Sequence, residues 1–281
     1  MRMPKSSGKA RNPEQDPKIR KEVERLEEDS TPATPAIYEA VRRLGKEEME
    51  RPAVSLWWSG LAGGLSISFS LLAQGILRSH LPEAQWTSLI VAMGYPVGFL
   101  MVVLSRQQLF TETTITVMLP LMKEPTRRHF AGAARMWAVV LAANLVGTFF
   151  AALLCTFVPV VSPELRDSMI AISREAMDHS WLDMGCRGIT AGFLMAAVVW
   201  LLPAAGQAQF HIVALITYVI GAGDFSHVVA GSMEAFLAAL NGHMSVASLL
   251  GNFFGPVLAG NVIGGTALFA VISYAQVMKE I

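Results

Sequence analysis

Two apolar stretches of this chain are interrupted halfway by polar and charged residues, at matching places in two halves. The first runs from Gly94-Tyr95-Pro96 to Val103 and meets Ser105-Arg106-Gln107-Gln108. It continues through Leu109-Phe110-Thr111-Glu112 into a second apolar run ending at Leu121. The other runs from Ile212 to Ile220, breaks at Gly221-Ala222-Gly223-Asp224-Phe225-Ser226-His227, and resumes at Val228. Uninterrupted apolar runs separate them, so the pattern predicts membrane spans over about 54–77, 87–121, 130–158, 184–203, 210–240 and 250–277. The second and fifth are longer than the ~20 residues that cross a bilayer. Each is therefore read as two half-helices joined by a loop, which lipid tolerates only where protein buries it or a cavity is lined. Ahead of the first span, Ile37, Val41 and Leu44 recur at helical spacing opposite Arg42, Lys46 and Glu47, predicting a short amphipathic helix from about Pro35 to Glu50 that packs on the mouth of the bundle.

The halves echo each other. Gly60, Gly63 and Gly64 match Gly188, Ala191 and Gly192, while Asn144, Gly147 and Thr148 match Asn261, Gly264 and Gly265. Three spans per half is an odd number, so the halves must lie in opposite senses across the membrane. The expected fold class is an all-α polytopic membrane protein, with six transmembrane spans in two inverted three-span repeats and the second and fifth broken.

Composition sharpens this division. The 281 residues are 53% hydrophobic and 16% charged, and 12 of the 22 Lys and Arg and 11 of the 22 acids precede residue 52. Residues 1–52 read as a charged cytoplasmic tail ending in the amphipathic helix, with one further helical piece over Lys18–Asp29. Residues 53–278 form the transmembrane domain and 279–281 a cytoplasmic C-terminus. No apolar core of signal-peptide length occurs in 1–52. Lys123, Arg127, Arg128 and Arg135 flank the loop after the second span, whereas the 159–183 loop is acid-rich. The positive-inside rule then puts both termini in the cytoplasm.

His227 is the leading candidate for chemistry. Its imidazole is a donor, an acceptor or a cation near neutral pH. At a helix break it either serves a solute pathway or ties the loop to a neighbouring carbonyl. Thr111 and Ser226 place hydroxyls at the two breaks. Half-helix N-termini near Phe110 and His227 would aim positive dipole ends at the gap, favouring an anion or its neutral acid. Arg106, Glu112, Asp224 and Glu234 are unusual in spans, where charge is costly. Arg106 either pairs with Glu112 to brace the first loop or faces the lumen. Tyr95, Phe99, Phe110, Met195 and Ile220 could form apolar constrictions that exclude hydrated ions. The sequence has no metal-ligand spacing, phosphate loop, nucleophile–base pair or nucleic-acid motif, so neither a cofactor nor an enzymatic activity is expected. Cys155 and Cys186 imply no disulfide framework. The basic pair Arg127-Arg128 reads as a topology signal, with lipid head-group contact as a second use.

Leu109-Phe110-Thr111-Glu112-Thr113, Phe225-Ser226-His227 and Gly260-Asn261-Val262-Ile263-Gly264-Gly265 resemble the formate/nitrite transporter family over about residues 53–278. The resemblance implies an aquaporin-like protomer, a homopentamer in the bacterial inner membrane, and passage of a small monovalent anion or weak acid. By position, His227 looks like the central pore histidine, faced by Thr111. Tyr95, Phe99 and Ile220 fall at the family's cytoplasmic constriction, and Phe110 and Met195 at the periplasmic one. The chain departs from the family pattern at Ala176, Gly192, Gly231 and Arg106 and in its long charged tail, which is similar to a divergent, YfdC-like branch. A neutral-solute channel resembling aquaglyceroporins and a non-transporting scaffold or sensor are the rival readings, the first disfavoured by the lack of paired Asn-Pro-Ala motifs.

Overall fold

The computed structural model describes residues 32–280, which are helical with no strand among them. The tail before residue 32, including the helical piece expected over Lys18–Asp29, lies outside the described residues. In chain order the helices are α1 Thr34–Glu50, α2 Ala53–His80, α3 Thr87–Leu104, α4 Phe110–Thr116 and α5 Met118–Lys123. There follow α6 Arg127–Phe157, α7 Pro163–Met177, α8 Trp181–Leu201, α9 Gln209–Ala222, α10 Ala230–Leu240 and α11 Val246–Val277. Five helices are long and apolar enough to cross a membrane: α2, α3, α6, α8 with its short extension to Ala204, and α11. The apolar helices either side of the second break are shorter.

Both interruptions are real breaks, and they share one backbone design. α3 ends as the Gln107 N–H donates to the Val102 carbonyl (3.0 Å) and Arg106 N–H to Val103 (3.1 Å). α9 ends identically, with Phe225 donating to Ile220 (3.0 Å) and Asp224 to Gly221 (3.2 Å). These are Schellman turns, which need a left-handed residue at the turn and usually recruit glycine. Here the left-handed positions hold Arg106 (φ 54°) and Asp224 (φ 52°).

A buried asparagine then clamps each loop. The Asn144 Oδ1 accepts from the Phe110 N–H (2.9 Å), and its Nδ2 donates to the carbonyls of Gly60 (2.7 Å) and Gln108 (2.9 Å). The Asn261 Oδ1 accepts from Val228 N–H (2.8 Å), and its Nδ2 donates to Gly188 (2.8 Å) and Ser226 (2.9 Å). Loop carbonyls and helix-start N–H groups that lipid could never satisfy are thereby paired inside the bundle. The clamps work because the helices nearly touch. A Cβ at Gly64 would lie 2.2 Å from the Asn144 carbonyl oxygen, and one at Gly192 would lie 2.2 Å from that of Asn261. Only glycine permits this approach.

Two expectations change. α1 does pack on the bundle, but through Tyr38, Val41, Gly45 and Met49, while Leu44 is 43% exposed. The face is rotated because Gly45 lets α1 settle on the Thr116 carbonyl, from which a Cβ would be only 1.7 Å away. The 159–183 segment, read as a loop, contains α7. Ser162 caps it by accepting from Leu165 N–H (3.2 Å), Pro163 opens it, and Met169, Ile172 and Ser173 face inward. Its charged outer face hid this short apolar stripe. Arg78 of α2 fastens it through two bonds to Glu175 (2.5 and 2.6 Å).

Candidate functional site

The two breaks meet at Thr111 and His227. Thr111 lies in the first turn of α4 and is fully buried; His227, just before α10, is 1% exposed. The Nε2 of His227 lies 2.7 Å from the Oγ1 of Thr111. Its Nδ1 accepts from the Ala230 N–H at 3.1 Å, and its carbonyl accepts from Gly231 N–H at 2.8 Å, so the residue also caps the start of α10. With Nδ1 occupied as an acceptor, the ring's proton is assigned to Nε2 and points at Thr111. Thr111 Oγ1 thus accepts from the imidazole and keeps its own hydrogen for another partner. The edge of the ring meets Phe99 (centroids 5.1 Å, 82°), which in turn stacks on Tyr95 (5.1 Å).

A cavity of about 870 Å³ reaches His227 from one side, walled by Tyr95 and Ile220 and rimmed by α7 and the α2–α3 turn. Phe99, Phe110, Thr111 and Met195 are buried and do not line it. Phe110 packs edge-on against Trp137 (5.9 Å), and all five proposed constriction residues join one apolar cluster. Tyr95 and Ile220 share this mouth with α7, the segment whose charge pattern reads as external. The start of α3, at Thr87 and Ser88, lines the same cavity, so Tyr95 and Ile220 lie on the side of His227 that carries α7.

The charges sort differently from expectation. Arg106 is exposed and makes no ion pair among the described residues, and the Oε1 of Glu112 is buried without a hydrogen-bond partner, so the Arg106–Glu112 brace is not formed. The left-handed turn swings Arg106 outward. Asp224 is held instead by Arg187 (Nη1–Oδ2 2.6 Å) and His179 (2.7 Å). Ser226 reaches the Met184 sulfur at 3.5 Å and not the imidazole. Two carboxyls gain prominence. Glu48 of α1 reaches the first break, accepting from Gln108 (2.8 Å) and Thr116 (3.0 Å), and burial lifts its carboxyl above the usual value. Glu234 of α10 is 8% exposed, lines the cavity, and has no hydrogen-bond partner among the described residues. A Cβ at Gly231, one turn earlier, would lie 3.7 Å from its Oε2. Glu234 stood out in the sequence as a charge in a span, whereas Glu48 lay hidden on the polar face of α1. No group of His, Cys, Asp and Glu among the described residues could hold a metal ion.

The comparisons agree with this frame. The chain is 39% identical over 256 residues to the inner membrane protein YfdC of Escherichia coli (strain K12), spanning 91% of this chain and 83% of that protein. It is 26% identical to the formate channel BtFdhC of Bacillus thuringiensis over 87% of this chain and 95% of that one. A solved pentameric formate channel with formate bound superposes with a TM-score of 0.68 at 18% identity, covering 81% of this chain and 98% of the other. The profile of the formate/nitrite transporter family matches residues 35–275, and the chain belongs to that family.

Proposed function

We propose that this protein is a homopentameric, multi-pass membrane channel for small monovalent anions or their conjugate weak acids, with a separate passage through each protomer. The chain crosses six times: α2, then α3 with α4–α5, α6, α8, α9 with α10, and α11. The matched Schellman turns and asparagine clamps support two repeats of opposite sense. With both termini inside, α7 and the wide cavity face outward, Tyr95 and Ile220 form the outer constriction, and Phe110 and Met195 lie on the inner side of His227.

The observation that carries this reading is the 2.7 Å contact between Thr111 and His227, made where the two breaks converge. It leaves the Thr111 hydroxyl hydrogen as a donor to a small anion or acid in an otherwise apolar neck. Such a neck excludes hydrated ions while one hydrogen bond offsets part of a small solute's desolvation. The test is flux in proteoliposomes with formate, nitrite, acetate and hydrosulfide, against water and glycerol swelling. The wild type should pass one or more of the acids, and His227→Ala should change that flux. Glycerol permeation without acid flux would assign a neutral-solute channel, and unchanged acid flux in His227→Ala would remove the histidine from the pathway.

A further inference from the structure

The neck histidine is poorly placed to give away a proton. Its Nδ1 already accepts from the Ala230 backbone, and its single N–H is engaged with Thr111. If a weak-acid anion is to cross an apolar neck as the neutral acid, another group must supply the hydrogen.

The cavity leading to His227 contains several carboxyls, and their surroundings differ. Asp224 is tied to Arg187 and His179, and Glu175 to Arg78. Glu83 and Asp167 sit exposed on the rim. Glu234 alone is buried, unpartnered among the described residues and in the cavity wall. Across from it α2 presents Gln74, whose Oε1 is also buried without a partner, and α3 presents Tyr95. α11 contributes only Phe253 to the wall and α6 contributes nothing, so no cation beyond Arg78 shares the cavity. The ring edge of Phe253 fills the place where Gly231 lacks a side chain, so the wall beside the Glu234 carboxyl is apolar on that side. A carboxyl that faces a cavity with no cation beside it is free to exchange a hydrogen with a solute there.

We propose that Glu234 is the proton-exchange residue of the pathway, handing its hydrogen to the incoming anion in the cavity so that the neutral acid enters the Thr111–His227 neck. The O–H bond of Glu234 breaks as an O–H bond forms on the solute oxygen. The carboxylate left behind takes its proton back from hydronium of the outer solution through the cavity. In the outward direction the exchange reverses. This rests on the channel reading above and adds the identity of the proton donor.

The experiment uses full-length protein in liposomes loaded with a pH-reporting dye, with formate gradients at pH 6 and pH 7.5. Formate uptake is followed in parallel with the internal pH. Glu234→Gln keeps shape and hydrogen bonding but cannot exchange a proton. It should lower formate-coupled proton movement about a hundredfold, the scale of a positioned proton transfer. Glu234→Asp should retain part of it, and Glu234→Met serves if the Gln variant does not assemble. Wild-type coupling in Glu234→Gln or Glu234→Met would overturn the proposal while leaving the channel reading intact. The same gradients are run with nitrite, acetate and hydrosulfide, and wild-type vesicles that take up none of the four acids beyond protein-free ones would overturn both.

Discussion

The asparagine clamps allow a sharp test, because one atom replacement removes two bonds without changing shape. In Asn261→Asp the oxygen facing the Val228 N–H is retained. The Nδ2 that donates to the Gly188 and Ser226 carbonyls becomes a second carboxylate oxygen. Two buried carbonyls lose their donor and face a like partial charge. An unsatisfied buried polar group costs about 1–3 kcal/mol, so the pair costs about 4 kcal/mol. A chain of this size loses roughly 2–4 °C of melting temperature per kcal/mol, which gives a drop of about 8–16 °C. Asn144→Asp strips the same two kinds of bond, to Gly60 and Gln108, and should fall by a similar amount. Heating purified protein and recording the surviving oligomer by fluorescence-detected size exclusion measures both. A melting point for either variant within about 2 °C of wild type would refute the clamp's assigned weight.

Two further outcomes follow from the same structure. Arg106 holds a left-handed conformation that costs an L-residue roughly 1–2 kcal/mol. Arg106→Gly should therefore raise the melting point by a few degrees, whereas Asp224→Gly should not, since it also loses Arg187 and His179; a destabilised Arg106→Gly would contradict this. For Glu48, burial raises the carboxyl above its usual 4.5 when α1 is docked. A raised acid is stabilising when protonated, so docking is strongest below about pH 4.5 and weakens as pH rises through the window above it. Hydrogen exchange of α1, corrected for intrinsic rate, should show protection falling with pH in the wild type and a flat profile in Glu48→Gln. Equal slopes in the two proteins would exclude Glu48 as the titrating group.

The breaks were legible because polar residues in the middle of apolar runs have few physical explanations, and the repeated Gly and Asn positions marked where helices would close. The turn geometry was not legible, because arginine and aspartate do not announce a left-handed backbone as glycine does. Without that turn, Arg106 and Glu112 look like an ion pair along one strand of sequence; with it, their side chains diverge. The phase of α1 failed for a related reason. Gly45 carries no apolar side chain, so a hydrophobic count passes over the residue that sets the contact. The meeting of Thr111 and His227 came from family resemblance, since no local pattern joins residues so far apart in the chain. Glu234 was visible as a misplaced charge, but its lack of a partner is a property of the packed cavity alone.

Leu109 precedes Phe110 as His227 precedes Val228, and Phe110 and Val228 each bond the equivalent asparagine. The counterpart of the imidazole in the other half is thus an aliphatic side chain. The twin scaffolds are alike as carpentry but not as chemistry: one copy bears a hydrogen-bonding ring, the other a purely apolar side chain. A solute entering from one mouth therefore meets the polar and greasy stations in the reverse of the order met from the other.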